Sequence, residues 1–124
     1  MFMLGCRAYL LLILMDLYLG RDDFSGLYER VRGTAIRERR PGQDATEAIC
    51  RAVDLASIWY RKQVPCLQRS AATTCLLRRH GIAAELVIGA QSMPFRAHAW
   101  VEVRGQIVND KPYIAELYAV LDRC

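Results

Sequence analysis

The chain opens on an apolar run. Leu4 to Leu19 predicts a helix that Gly20 ends. Within it, Ala8 to Leu19 reads AYLLLILMDLYL, too short a run to span a bilayer and interrupted by Asp16. Arg7 is the only charge ahead of the run, and LYLGRDD is a poor signal-peptidase site, so a buried first helix is expected rather than a secretion signal or a membrane anchor. Phe24 to Arg32 predicts a second, amphipathic helix. Arg37 to Gly42 (RERRPG) reads as a solvated, charged break with a turn-forming Pro-Gly pair. Asp44 and Glu47 have the spacing of a capping box. Ile49, Ala52, Val53, Ala56 and Trp59 or Tyr60 then form one helical stripe.

Pro65 restarts the backbone. Proline suits the first turn of a helix, and Cys66 to His80 predicts that helix, with Leu67, Ala71, Cys75 and Leu76 or Leu77 inside. Arg78, Arg79 and His80 complement the negative end of its dipole, and Gly81 is the expected stop. Beyond Gly81 the apolar period shortens. Ala84 to Ile88 predicts a strand bounded by Gly89, and Gln91 to Phe95 a loop around Pro94. Ala97 to Val103 and Gln106 to Asp110 predict two strands around Arg104-Gly105, and Tyr113 to Leu121 a last short helix or strand. Helices followed by an antiparallel sheet define an α+β domain.

Composition narrows the class. A chain of 124 residues, 53% hydrophobic, can bury a core of its own. Its net charge of +4 is too small to argue for nucleic acid. Cys6, Cys50, Cys66, Cys75 and Cys124 form neither a disulfide framework nor a zinc pattern, so free thiols in a reducing, cytoplasmic setting are expected, with no metal and no cofactor.

One of these thiols has a chemical advantage. The unpaired N–H groups of a helix N-terminus favour a thiolate. Cys66 alone is so placed; Cys50 and Cys75 sit at apolar positions within helices, and Cys6 and Cys124 near the termini. A thiolate nucleophile needs a base, and the chain has two histidines. His80 lies at the far end of the same helix, about 20 Å away, which leaves His98. For the group that orients the imidazole, Asp110 is preferred. A three-residue loop, Val103-Arg104-Gly105, would place glycine at a left-handed position and pair Glu102 with Gln106, Trp100 with Val108 and His98 with Asp110. Glu102, the alternative acid, shares a face with His98 but lies roughly 13 Å along the strand.

The stretches Cys66-Leu67-Gln68-Arg69-Ser70, Leu76 to Ile82, Ala84 to Gly89, Pro94 to Val103 and Val108-Asn109-Asp110 together resemble the transglutaminase-like leader peptidases of lasso-peptide biosynthesis. The likeness runs from about Pro65 to Asp110 and is looser in the N-terminal helices. It implies a papain-like Cys-His-Asp triad at Cys66, His98 and Asp110, on helices packed against a small antiparallel sheet. Residues 1–43 would form the helical region and 44–124 the transglutaminase-like core of one compact domain. It also implies cleavage of the leader from a ribosomally made precursor peptide. The partners would be a separate leader-recognition protein and an ATP-dependent lasso cyclase, the chain having no room for a fused recognition domain. The Cys66 N–H is expected in the oxyanion hole. Gln63 is a candidate second donor, Trp100 a candidate wall of the substrate groove, and Arg69 and Ser70 belong to the signature without an assigned role. The rival readings are an acyl transferase using the same triad and a noncatalytic peptide-binding module.

Overall fold

The computed structural model describes residues 2–37 and 45–124. Its elements run α1 (Phe2–Gly20), α2 (Phe24–Arg32), α3 (Ala45–Trp59), α4 (Cys66–Arg79), β1 (Ala84–Ser92), β2 (Phe95–Val103), β3 (Gln106–Ile107), α5 (Ile114–Leu117) and β4 (Ala119–Arg123). The sheet is antiparallel, in the order β3-β2-β1-β4. The expected α+β architecture is therefore present, with the long helices ahead of a small sheet. Asp44 of the expected capping box, and Arg39 and Arg40 of the charged break, lie outside the described residues.

The helix α1 buries Ala8, Leu11, Leu12 and Met15, the i, i+3, i+4, i+7 spacing of one helical face. Met3, Leu10 and Leu17 remain exposed on the other side. By length and composition Met3–Gly20 is sufficient to cross a membrane. It is thus longer than the run Ala8 to Leu19 suggested on its own. Asp16, which interrupts that run, anchors the helix. It accepts a hydrogen bond from Tyr60 Oη at 2.7 Å and an ion pair from Lys62 Nζ at 2.8 Å, and these two partners hold its carboxyl below the ordinary range. Tyr60 rather than Trp59 completes the inner stripe of α3: Tyr60 is buried and Trp59 is 80% exposed.

The helix α4 lies at the centre, against α1, α3 and the sheet. Apolar periodicity foresaw only part of its buried surface, because Gln68, Ser70, Thr73, Thr74 and Arg78 are buried as well. Each has a hydrogen-bond partner, although Gln68 Oε1 is buried without one. Gln68 Nε2 donates to the Leu12 carbonyl at 2.8 Å, and Thr73 and Thr74 donate to the carbonyls four residues back. One continuous core unites Leu12, Met15, Leu27, Val31, Val53, Leu76, Leu86 and Val101.

β1 and β2 are longer than expected, and β3 is shorter, ending at Ile107 rather than Asp110. Gly89 does not end β1 but sits within it, paired with His98. A Cβ at that point would lie 2.7 Å from Trp100 Cη2, so the indole occupies the space a side chain would need. The chain reverses at Met93-Pro94, between the paired residues Ser92 and Phe95. The segment from Tyr113 on supplies both alternatives, a single turn of helix and then β4 along the free edge of β1.

Candidate active site

Pro65 caps α4 with an extended backbone (φ −68°, ψ 160°) and no side-chain hydrogen bond. The N–H groups of the first turn, beginning at Cys66, therefore lack a capping side chain and form the positive end of the helix. Cys66 is half-buried and faces two cavities. One, of about 220 Å³, is walled by Phe24, Leu67, Ile88, Ala97, His98 and Ala99. The other, about 450 Å³, is walled by Asp54, Ser57, Ile58, Gln63, Val64 and Arg69. The thiol thus separates an apolar recess that holds the histidine from a more polar one that holds Gln63. A larger apolar groove of about 580 Å³ between α1 and α3 has neither histidine nor carboxylate in its wall. Its size does not make it the site of this chemistry.

His98 Nε2 lies 2.7 Å from Asp110 Oδ2. The structure brings these residues together, although not through the expected register. The turn is the two-residue Arg104-Gly105, both at positive φ (55° and 75°), with Val103 paired to Gln106 and Glu102 to Ile107. Two successive left-handed residues match the right-handed twist of the strands, so the three-residue loop is not formed. A ladder in the observed register would set Asp110 opposite Ala99, on the face that packs against α4. The ladder stops first. Val108 N–H donates to the Val101 carbonyl at 3.0 Å, but Val101 N–H is taken by Asn109 Oδ1 at 2.8 Å instead of by the main chain. The chain leaves the sheet at that point, and Asp110 reaches the other face, where His98 is.

Burial raises the Asp110 carboxyl. The hydrogen bonds from His98 and from the Lys111 N–H outweigh it, with the charges of His98 and Arg69, and the net position is below the ordinary carboxylate range. An ionised carboxylate only accepts, so His98 Nε2 is the donor and the lone pair falls on Nδ1. Glu102 is engaged elsewhere, with the Trp100 indole N–H at 2.9 Å and Arg123 at 3.1 Å.

Trp100 does not form a wall of the groove. It has no exposed surface, because it packs beneath Gly89 with Val87 and Ile114. Its ring instead supports His98, with the centroids 6.1 Å apart. Tyr118, which no pattern in the chain marked, stacks on the imidazole at 5.2 Å. Arg69 pairs with Asp54 at 3.3 Å. Ser70 donates to the Ala99 carbonyl at 3.0 Å and accepts from Asn109 Nδ2 at 2.9 Å. Among the described residues no group of three His, Cys, Asp or Glu is placed to hold a metal ion.

The family described as the transglutaminase-like superfamily matches residues 11–123. Over 56 residues the chain is 43% identical to the microcin J25-processing protein McjB of Escherichia coli. That stretch is 45% of this chain and 27% of the relative, so the match spans about a quarter of the relative's length. No solved structure gives a significant match.

Proposed function

Because the chain belongs to the transglutaminase-like superfamily, we propose that it is a cysteine peptidase of lasso-peptide maturation, cleaving the leader from a ribosomally made precursor through Cys66, His98 and Asp110. The observation that carries this reading is the cavity shared by Cys66, at the start of α4, and His98, whose Nε2 is hydrogen-bonded to Asp110. The choice of substrate rests on the relative, whose name assigns it to microcin J25 processing, and on the resemblance of the Cys66–Asp110 signature to lasso leader peptidases.

In this reading the Cys66 thiol gives its proton to His98 Nδ1, and Sγ attacks the scissile carbonyl carbon. The tetrahedral oxyanion is held by the Cys66 N–H, with the Gln63 amide as second donor. Collapse of the intermediate breaks the C–N bond, and His98 passes its proton to the departing amine. Water then attacks the thioester and loses its proton to His98. The acyl group leaves as a carboxylic acid and the thiol is restored. Asp110 keeps Nε2 protonated throughout, which reserves Nδ1 for these transfers. The expected partner is a leader-recognition protein, acting in the reducing compartment that free thiols imply.

Mixing the protein with a precursor peptide and a candidate leader-recognition protein, then weighing the products, tests this. Hydrolysis gives two fragments that sum to the precursor plus one water, and Cys66→Ala is expected to abolish them. Fragments from Cys66→Ala would sink the mechanism. Ligation of the acyl fragment to an added amine would identify the acyl transferase instead.

A further inference from the structure

Three buried hydrogen bonds lie beside the proposed triad without including any of its members. Val101 N–H donates to Asn109 Oδ1 (2.8 Å), Asn109 Nδ2 to Ser70 Oγ (2.9 Å), and Ser70 Oγ to the Ala99 carbonyl (3.0 Å). Ser70 is fully buried and Asn109 nearly so. Each attachment point neighbours one member of the triad. Ser70 is four residues after Cys66 on α4, one turn along the same face. Ala99 follows His98 in β2, and Asn109 precedes Asp110.

We infer that Asn109, held by Ser70, is a positioning residue that aims Asp110 at His98. The proposal rests on the peptidase reading only for its kinetic consequence. In an antiparallel pair the residues of a hydrogen-bonded couple exchange two bonds. Val101 and Val108 make the first of them, and the second is pre-empted by the Asn109 side chain. Asn109 would otherwise stand opposite Trp100 and Asp110 opposite Ala99, each facing away from its observed partner. By imitating the missing carbonyl, Asn109 removes the chain from the ladder within one residue and inverts the faces that follow. Ser70 accepts its amide and fixes which way that amide points. Its own proton goes to the Ala99 carbonyl, so the Ser70 hydroxyl both accepts and donates within the network. A network satisfied in this way, away from water, has one geometry.

The decisive measurement is the imidazole 15N spectrum of the full chain, with the two histidines assigned through His80→Gln. Wild-type His98 should show the Nε2–H tautomer. Asn109→Ala should lose that preference to the same extent as Asp110→Ala. With precursor peptide, Asn109→Ala should lower kcat about 100-fold, the order expected for an ångström-scale misplacement, with KM within about twofold. The double variant Asn109→Ala/Asp110→Ala should be no slower than Asp110→Ala alone, since both changes remove one interaction. A folded Asn109→Ala that keeps the wild-type tautomer overturns the proposal, even if the peptidase reading stands. A tautomer shift in a protein that cleaves nothing upholds it while that reading fails. If Asn109→Ala does not fold, Ser70→Ala carries the test and should weaken the Nε2–H signal. Failure of both variants to fold would make the triangle a stabilising contact only and overturn the positioning role.

Discussion

His98 and Asp110 are bonded at 2.7 Å, yet they are not cross-strand partners. His98 is paired with Gly89 on its other side, and Asp110 has already left the sheet. Their contact depends on where the ladder ends, not on the ladder itself. The imidazole also packs against both Trp100 and Tyr118, which touch each other, their centroids 6.2 Å apart. Its orientation is thus fixed by two rings and one carboxylate.

Asp110→Ala should therefore reduce kcat for leader cleavage by at least about 100-fold, with little change in KM. Asp110→Asn, which can accept the same N–H without a charge, should fall between that variant and wild type. The stability consequence has a definite sign. Against burial, which raises it, the hydrogen bonds from His98 and the Lys111 N–H hold the Asp110 carboxyl below its ordinary range in the fold, so the unfolded chain binds more protons as the solution becomes acidic. The stabilisation is complete above the unfolded value and is lost as the pH drops through the folded one. Urea titrations between about pH 5 and pH 2 should give a flatter pH dependence for Asp110→Asn than for wild type. Parallel curves would mean that the carboxylate contributes nothing.

Thiol chemistry should separate the five cysteines. Burial pushes Cys50 up to about 11 and raises Cys75 and Cys124 as well, which suppresses their thiolates. Cys6 is exposed and Cys66 faces two cavities. Brief treatment with iodoacetamide near pH 7, followed by peptide mapping, should label Cys66 and Cys6 and spare Cys50 and Cys75. Replacing His98 with Ala should slow labelling at Cys66 and leave Cys6 as an internal control. Inactivation that followed Cys6 rather than Cys66 would count against the proposed nucleophile.

Gly89→Ala probes the support under the imidazole. The new methyl would meet Trp100 Cη2 at 2.7 Å, Trp100 Cζ3 at 2.8 Å and Tyr118 Cβ at 3.0 Å. The indole is wholly buried and tethered to Glu102, so it cannot swing aside. Overpacking of this kind costs about 1–3 kcal/mol. Because both displaced rings touch His98, cleavage should weaken alongside the loss of thermal stability. An unchanged melting temperature would show that the strands part easily at this point.

These contacts explain what could be read from the chain and what could not. Local signals were sufficient for α2, whose ends are Phe24 and Arg32 as expected, and for the start of α4 at Cys66. Pro65 and Gly81 act through their own backbones and need no tertiary information. Gly89 was misleading because a glycine that ends a strand and one that makes room for an indole look alike in one dimension. Trp59 and Tyr60 both fit the stripe of α3, and the choice was made by Asp16, 44 residues away from Tyr60. The buried polar groups of α4 break the apolar period: Gln68 and Ser70 find partners on other elements, and Thr73 and Thr74 on the preceding turn of α4 itself. The expectation that Asp110 faces His98 agrees with the geometry, but the reason behind it was different. The inversion of faces comes from Asn109, not from a bulge at Gly105.

Arg78 offers the sharpest test of how α4 is held. It is buried, and its partners are main-chain oxygens: Nε to Ala84 at 2.9 Å, Nη1 to Val31 at 2.7 Å and to Thr34 at 3.4 Å, and Nη2 to Cys124 at 2.6 Å. One guanidinium thereby ties the ends of α2 and α4, the start of β1 and the strand β4. Lysine has a single ammonium on a longer stem and cannot reproduce this planar fork. The Val31 and Cys124 oxygens also accept from the main chain, from Thr34 N–H at 3.1 Å and Leu86 N–H at 3.2 Å, so the Ala84 and Thr34 oxygens are the ones that depend on the guanidinium. Arg78→Lys, reaching one of them, should leave the other unsatisfied, at a cost of roughly 1–3 kcal/mol, or on the order of 5 °C in Tm. Arg78→Met removes the buried charge along with the bonds, so it isolates the carbonyls. If Arg78→Met is as stable as wild type in a thermal melt, water reaches those oxygens and the guanidinium is not what joins the helices to the sheet.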